Sequence, residues 1–394
     1  MRGRQFISGS PVKPTLRASG MDIKRRSDRS NRTRRIAGAG LLALDIVLCE
    51  PDGPGAFAFA GGTCGNVLSI LSFLRWTATP IGFIGDDPAG KRVLADLSTA
   101  GVRAAHLVQT GDCATPVFIQ HLIRDDGGRP RHTFSTVSRC PNCGHSIGGL
   151  EKRTNEGATP IHRLTAADNV DVFFMDRLSD DILSLAESAK AQGALVFYEP
   201  SAQSDVRYWD DVFALVDIVK YSADRFEEDQ LAPFLARPTR NDLWEVRTLG
   251  ARGLKYRRHL RKATEAPRWV KSEAIAATRV VDTCGAGDWC SAGLLHGLAA
   301  FGNDSAAFPN AVRLGQLLAA WACAFVGARG AMYSSNRAEA WTAIKSLVQS
   351  GDLDLSRLPL AAQIAPPNVG AASSCVPGLC ADAEAAESLA SRRR

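Results

Sequence analysis

The chain has 394 residues, of which 45% are hydrophobic and 22% are charged, so it is long enough to bury one large core or two smaller ones. Residues 1–35 carry a net charge of +9 and the last three arginines add +3, so the rest of a chain with net charge +6 sums to −6. This balance excludes a broad nucleic-acid-binding face, and nucleic acid is not an expected partner. A homodimer is left open.

The two ends of the chain differ in composition from the rest. Residues 1–35 are rich in Arg and Ser and have no long apolar run, which predicts a solvated, disordered extension; a targeting or nucleic-acid-attracting arm is the alternative. Residues 351–394 are of low complexity and are expected to be largely disordered. The longest charge-free apolar stretches, such as 314–328, fall short of the roughly 20 residues of a membrane span. Ten cysteines without a regular framework indicate reduced thiols and a cytoplasmic protein.

Two glycine patterns near the start do not fit a nucleotide loop. "GAGLLA" (38–43) has the spacing G-x-G-x-x-A, but the residues after it resemble a strand more than a helix. "GDDPAGKR" (85–92) places Arg92 where a phosphate loop needs a hydroxyl, and Asp86 and Asp87 would repel phosphate. The second pattern therefore predicts a turn into a helix.

Residues 113–136 contain two extended runs around "DDGG", which predicts a β-hairpin that could act as a lid. The next segment, "RCPNCGHS" (139–146), has the spacing of half a zinc knuckle at Cys140 and Cys143. A structural zinc ion, a metal-free loop and redox chemistry all stay open for this segment. The candidates for completing a zinc site are His132, His145, Cys375 and Cys380.

Apolar runs alternate with amphipathic stretches from residue 170 to residue 222. Strands are predicted at 170–176, 194–200 and 217–222, and helices at 180–193 and 209–216. This β-α-β-α-β order predicts a mainly parallel sheet with helices on both faces, whose ligands gather at the carboxyl ends of the strands.

"DTCGAGD" (282–288) is the third glycine pattern and the one that suits phosphoryl chemistry. The amides of Gly285, Ala286 and Gly287 at the start of a helix form an anion hole for a phosphoryl group. Asp288, in the first helical turn, is placed to accept a proton from a substrate hydroxyl. The structural alternative is a capped helix with glycines for close packing.

"DTCGAGDWCSAG" resembles the second signature, D-T-x-G-A-G-D, of the PfkB/ribokinase family of carbohydrate and nucleoside kinases, and residues 60–102 are similar to its first signature. The likeness runs loosely from Ile36 to about Val348. It implies a ribokinase-like three-layer α/β domain at 36–350 with a mainly parallel central sheet. A small β lid from about 45–62 and 113–136 would cover the site, and "CPNCG" would be an insertion.

The resemblance also implies roles for individual residues. Asp288 would be the catalytic base, ATP the phosphoryl donor, Mg²⁺ its companion ion and a sugar or nucleoside the acceptor. The acceptor-binding residues would be Asp45, Gly62 and Asn66. The cofactor-binding residues would be Thr248, Gly250, Gly253, Asp282 and Thr283.

One departure from the family pattern concerns metal handling. Family members commonly carry N-x-x-E after the strand that here ends in "VKYSADRF", where Ser222 and Arg225 stand instead. Glu227, Glu228 or Glu199 could substitute for the missing acid. This departure leaves open a catalytically weak kinase-fold protein that binds a ligand or regulates. A second alternative, a zinc-assisted interaction module, follows from "CPNCG" and the basic N-terminal segment.

Overall fold

The computed structural model describes residues 32–48, 56–125, 128, 130–136, 169–201, 203–235, 242–261, 267–334, 337–360 and 362. The elements below all fall within the unit Arg34–Arg394. Cys140 and Cys143 lie outside the described residues, as do the basic N-terminal segment before residue 32 and most of the tail, so the predictions made for them stay predictions.

Thirteen strands and eight helices lie within the described residues. The strands are β1 Arg35–Ala39, β2 Ala43–Leu48, β3 Ala56–Gly61, β4 Thr77–Gly85, β5 His106–Thr110, β6 Val117–Arg124, β7 Pro130–Thr136, β8 Val172–Met175, β9 Leu195–Tyr198, β10 Ile218–Ser222, β11 Leu243–Thr248, β12 Leu254–His259 and β13 Val270–Ser272. The helices are α1 Thr63–Phe73, α2 Pro88–Thr99, α3 Asp180–Ala191, α4 Trp209–Leu215, α5 Glu228–Leu235, α6 Ala286–Phe301, α7 Phe308–Ala322 and α8 Arg337–Ser350.

Nine of these strands form the main sheet, in the order β13-β12-β11-β10-β9-β8-β1-β4-β5. In this order each neighbouring pair from β11 to β5 is parallel, whereas β12 pairs antiparallel with both β11 and β13. Helices pack on both faces, so the predicted three-layer α/β fold with a mainly parallel sheet is confirmed. Strand β8 is apolar throughout because both of its faces are buried: Phe174 packs in one core cluster and Phe173 in the other.

A second sheet of four strands, in the order β3-β2-β6-β7, forms the small β element predicted as a lid. Strands β6 and β7 pair antiparallel on either side of the "DDGG" segment, as the hairpin prediction required. Strand β2 pairs with β3 antiparallel and with β6 in parallel, which places Asp45 opposite Phe59 and Phe118.

Local capping explains where the early elements begin. The Asp87 side chain accepts a hydrogen bond from the Gly90 backbone N–H at 2.7 Å, and Pro88 occupies the first turn of α2. "GDDPAGKR" is thus a capped turn into a helix, as predicted.

Residues 38–43 run from β1 directly into β2 without a helix. This excludes a dinucleotide-binding loop at "GAGLLA". No helix in the described ranges is long and apolar enough to cross a membrane.

Candidate functional site

Residues 282–287, here called the glycine loop, lead into α6 and are held in a conformation that only glycine adopts easily. Gly285 has φ 75°, and a Cβ at this position would lie 2.4 Å from Ala328 Cα. The Ala286 N–H donates to the Thr283 carbonyl at 3.2 Å. For Gly287 and Asp288, the described part of the chain offers no acceptor to the backbone N–H, as expected for the first turn of a helix. The loop therefore presents open amides to an anion.

Asp288 stands in the first turn of α6 and is surrounded by other charged groups. Asn66 of α1 donates its side-chain Nδ2 to Asp288 Oδ2 at 2.8 Å. Burial, together with the negative charge of Glu199, raises the Asp288 pKa from 3.8 to about 8, although Asn66 and the cations Lys220 and Arg225 oppose the rise. A carboxyl group with a pKa near the working pH is well matched to taking up a proton.

Asp45 lies on β2 beside the chain reversal that leads into α1. A Cβ on Gly61 would overlap Asp45 Oδ2 at 1.9 Å, so only glycine lets the carboxylate approach this strand. Gly62 caps α1 with φ 76°. Burial raises the Asp45 pKa to about 6, while the Gly62 backbone N–H and Arg329 lower it. A half-buried carboxylate that accepts from a fixed amide can also accept from substrate hydroxyls.

The charges of several acids act on the Cys284 thiol. Burial raises the Cys284 pKa well above its usual value, and the charges of Asp282, Asp45 and Asp288 raise it further, whereas Arg225 lowers it. Each of these groups is therefore within electrostatic reach of the loop. A raised pKa also keeps the thiol protonated, which excludes Cys284 as a thiolate nucleophile near neutral pH.

The predicted nucleotide-side loop follows β11, where the carboxyl ends of β10 and β11 lie side by side. Thr248 pairs in register with Ser222 of β10 and donates its hydroxyl to the Tyr221 carbonyl at 3.4 Å. Gly250 and Gly253 have φ 60° and 87° and flank a short 3₁₀ turn. A Cβ at Gly253 would lie 2.3 Å from the Ser272 carbonyl oxygen, so the loop turns tightly against β13.

Asp282 ties the glycine loop to the second sheet. Its Oδ1 accepts from the Cys284 N–H at 2.9 Å, and its Oδ2 accepts from Gln120 at 2.6 Å and from the Gly327 N–H at 2.9 Å. Burial raises the Asp282 pKa, but hydrogen bonds from these groups and from His132 outweigh it and hold the pKa below its usual value. The Asp282 carboxylate thus fixes the conformation of the loop through these hydrogen bonds.

His132, one of the candidates for completing a zinc site, contacts this loop. Its Nδ1 lies 3.5 Å from Asp282 Oδ1 and 3.4 Å from the hydroxyl of Thr283. Gln120 and His132 belong to β6 and β7. Neither was predicted to reach the glycine loop, because pairing between distant strands leaves no local signal in the sequence.

A buried ion pair behind the loop was also missed. Lys220 of β10, which is 1% exposed, donates its Nζ to Glu199 Oε1 at 2.5 Å, and Ser291 of α6 donates to Glu199 Oε2 at 2.5 Å. "VKYS" resembles an ordinary buried strand in which a lysine is unexpected, and that mismatch was the available signal.

A second buried cation supports the acceptor side. Arg329, which is fully buried, pairs with Asp96 of α2, whose Oδ2 also accepts from the Ala60 N–H of β3 at 2.7 Å. Tyr333 donates to the other oxygen at 2.9 Å. The cluster anchors the end of β3 just before Gly62.

The acids of the site do not fit a magnesium ion held by the protein. Both oxygens of Glu199 have protein donors, and the two acids named as substitutes are also engaged: Glu227 pairs with Arg247 at 3.0 Å and Glu228 with Lys255 at 2.5 Å. Within the described ranges, no three His, Cys, Asp or Glu side chains group to hold a metal ion. The implied Mg²⁺ site therefore lacks its acidic donors here.

Comparisons with known proteins concern the family likeness and the fold of this chain. Residues 159–335 match the family model "pfkB family carbohydrate kinase". Among solved structures, the fold is similar to aminoimidazole riboside kinase from Salmonella enterica complexed with aminoimidazole riboside and an ATP analogue. That pair has a TM-score of 0.53 and 20% identity, covering 75% of this chain and 95% of that one.

Two further structures share the fold. Burkholderia thailandensis nucleoside kinase in complex with inosine has a TM-score of 0.53 and 17% identity, covering 80% of this chain and 98% of that one. Arabidopsis thaliana ribokinase complexed with ribose and ATP has a TM-score of 0.51 and 15% identity, covering 73% and 92%. No curated protein matches the chain in sequence.

The nine-stranded sheet with helices on both faces, together with the small second sheet, defines a ribokinase-like fold. Within that fold, the segment 159–335 is similar to the pfkB family of carbohydrate kinases.

Proposed function

We propose that this protein transfers the γ-phosphoryl group of ATP to a hydroxyl group of a sugar, a nucleoside or a related small molecule. One observation carries the proposal: the half-buried carboxyl group of Asp288 stands in the first turn of α6 beside open backbone amides. A proton acceptor next to an anion hole is the arrangement that phosphoryl transfer to an alcohol requires.

Each part of the reaction has a residue suited to it. Asp288 in its deprotonated form takes the proton of the acceptor hydroxyl, whose oxygen forms a bond to the γ-phosphorus while the bond to the β-phosphate oxygen breaks and ADP leaves. The open amides of Gly287 and Asp288 at the N-terminus of α6 stabilise the charge on the phosphoryl oxygens, whereas the Ala286 amide of the predicted anion hole already donates to the Thr283 carbonyl. No protein-held metal enters this sequence of steps, because the acids near the loop are already paired.

Asp45 binds the hydroxyl groups of the acceptor, and the Gly62 backbone and Asn66 also contact it. Carboxylate and amide groups supply the acceptors and donors that a polyol needs. Asn66 is bonded to Asp288, so it orients the base as well as facing the acceptor. On the donor side, Thr248, Gly250 and Gly253 are the proposed contacts of the nucleotide.

A kinase-fold protein that binds its ligand but turns over poorly is the second candidate. Two observations favour it: Ser222 and Arg225 replace the family's Asn and Glu, and Glu199 is engaged by Lys220 and Ser291. If the charge of the phosphates must be neutralised by a metal ion that acidic side chains hold, this protein would transfer the phosphoryl group slowly.

The test is a screen for thermal stabilisation by sugars and nucleosides with a non-hydrolysable ATP analogue, followed by a coupled ADP-release assay with the acceptors that bind. Mass spectrometry then identifies the phosphorylated product. An acceptor-dependent, phosphorylated product supports the kinase. Tight acceptor binding without product supports the second candidate, and binding of neither ATP analogue nor acceptor rejects both.

A further inference from the structure

A pocket with a volume of about 240 Å³ lies at the carboxyl-terminal end of α1. Its walls, which define what we call the arginine pocket, are Phe73, Arg75, Arg337, Ala338 and Trp341. The first two come from the end of α1 and the turn after it, and the other three from the first turns of α8. The part of α1 proposed to contact the acceptor is its first turn, and a helix of eleven residues is about 16 Å long. The arginine pocket is therefore separate from the candidate active site.

Each arginine of the pocket packs against an aromatic ring from the other side. The Arg75 Cζ lies 5.7 Å from the centroid of the Trp341 ring, and the Arg337 Cζ lies 5.4 Å from that of Phe73. Both arginines are exposed, so an anion can reach them. Among the residues that the structure describes, neither guanidinium group donates a hydrogen bond or pairs with an acid.

The two positive charges also act on each other. Burial, and then the charge of Arg75, lower the pKa of Arg337, while Tyr333 opposes the change. Both groups stay charged at neutral pH, because arginine does not lose its proton in proteins. Arg337 is the first residue of α8, whose amide dipoles add positive potential at this end of the helix. Two like charges that are held together without a counter-charge attract an anion.

Arg75 occupies a backbone position that favours glycine. The Trp76 N–H donates to the Leu71 carbonyl at 2.9 Å and the Arg75 N–H to the Ser72 carbonyl at 3.0 Å, which is the pattern of a helix end closed by a left-handed residue. That residue is Arg75, with φ 67°. Glycine adopts this conformation without strain, so the arginine costs stability here. Backbone strain at a residue is a pointer to a function of its side chain.

We propose that the arginine pocket binds the phosphate group of a small phosphate monoester. Two guanidinium groups match the charge of a monoester, which is close to −2 at neutral pH, and each group can engage two phosphate oxygens. The phosphate fills only part of the pocket, and Phe73 and Trp341 offer apolar surface to the organic body of the ligand. The proposal does not depend on the proposed function.

The direct test follows the indole N–H signals in NMR spectra of the full-length protein, with isotope-labelled tryptophan, while phenyl phosphate is added. The variant Trp341→Phe identifies the signal of Trp341. This signal should shift and saturate, whereas that of Trp209, which belongs to the other core cluster, should not move. A Trp341 signal that stays in place up to about 10 mM phenyl phosphate would overturn the proposal.

The affinity read from the Trp341 signal tests the two arginines. Arg75→Gln and Arg337→Gln should each weaken binding by about 10-fold and the double variant by about 100-fold, as expected for the loss of charged hydrogen bonds. The control is Arg207→Gln, at an exposed arginine that packs on the Tyr208 ring at 4.7 Å but is not part of the pocket. It should stay within about 2-fold. Wild-type affinity in the double variant would contradict the assignment.

Two further probes separate the charge of the ligand from its body. Benzoate has the same ring with a single charge, and inorganic phosphate has a similar charge without the ring. Both should bind at least about 10-fold more weakly than phenyl phosphate. Benzoate that binds as tightly as phenyl phosphate would reject a phosphate site, and equally tight inorganic phosphate would reject a site for an ester.

Arg75→Gly tests whether the strained arginine serves binding and not the fold. Glycine relieves the strain at φ 67°, so the variant should gain roughly 1–3 °C in Tm while it loses affinity as Arg75→Gln does. A lower Tm would show that the side chain supports the fold and would count against the proposal. None of these measurements uses turnover, so their outcome is independent of whether the protein proves to be a kinase.

Discussion

The substitution Asp288→Asn should stabilise the protein at alkaline pH while it removes the catalytic base. Burial and the charge of Glu199 raise the folded-state pKa of Asp288 from 3.8 to about 8. Between these pH values the folded state holds a proton that the unfolded state has released, so the contribution of Asp288 to stability falls as pH rises through this window. An amide cannot ionise, and the variant avoids that loss.

The size of the effect follows from the same two pKa values. At about 1.4 kcal/mol per pKa unit, the gap sets an upper limit of about 6 kcal/mol. Relaxation around a new charge reduces this, and we expect about 1–3 kcal/mol at pH 9. For a chain of this size that is an increase in Tm of roughly 2–5 °C, shrinking towards zero near pH 4.

Differential scanning fluorimetry at pH 4.5, 7 and 9 measures the difference in Tm between variant and wild-type protein. Glu187→Gln, a matched change at an exposed carboxylate of α3, serves as the control and should show little change with pH. A Tm difference for Asp288→Asn that is constant with pH, or that falls as pH rises, would refute the assignment of a raised pKa to this carboxyl group.

Three further predictions concern the site and its supports. The pH profile of kcat/KM should rise through a pKa near 8, and Asn66→Ala should move this limb to higher pH because the Asn66 donor lowers the Asp288 pKa; an unmoved limb would contradict the contact. Asp45→Ala should raise the acceptor's KM or abolish saturation, and an unchanged KM in steady-state assays would reduce Asp45 to a structural group. Arg329→Met should destabilise the fold by about 3–5 kcal/mol because the buried Asp96 loses its counter-charge, whereas a loss below about 1 kcal/mol in urea unfolding would show that the pair is dispensable.

The sheet could be predicted from the sequence because its strands are local patterns. "VDVFFMD" has a run of apolar residues too short for a helix, and in the structure its side chains alternate between the two core clusters. Two helix starts carry a local cap in the structure: the Ser179 hydroxyl accepts from the Ile182 N–H at 3.3 Å, and the Asp87 carboxylate accepts from the Gly90 N–H at 2.7 Å. Element ends differ by one or two residues from the prediction, as fraying termini allow.

The electrostatics of the site could not be predicted in the same way. The contact of Asn66 with Asp288 joins residues 222 positions apart, and that of Gln120 with Asp282 joins residues 162 apart. Such contacts depend on how the sheets and helices pack, which no local pattern encodes. Glu199 illustrates the limit: the sequence offers it as a metal ligand, but the fold pairs it with Lys220.

The zinc prediction for Cys140 and Cys143 stays a prediction. About one zinc ion per chain by elemental analysis of purified protein, lost when both cysteines are changed to serine, would support it. Metal-free protein with full activity would leave "CPNCG" an ordinary loop.

The most direct test of the central claim compares the turnover of wild-type protein and Asp288→Asn with an acceptor found in the binding screen. The account predicts that the variant loses at least about 100-fold in kcat, the size of a general-base contribution, while it keeps its affinity for the ATP analogue and its folded state. Near-normal kcat in the variant would contradict the assignment of Asp288 as the base, and with it the proposed mechanism.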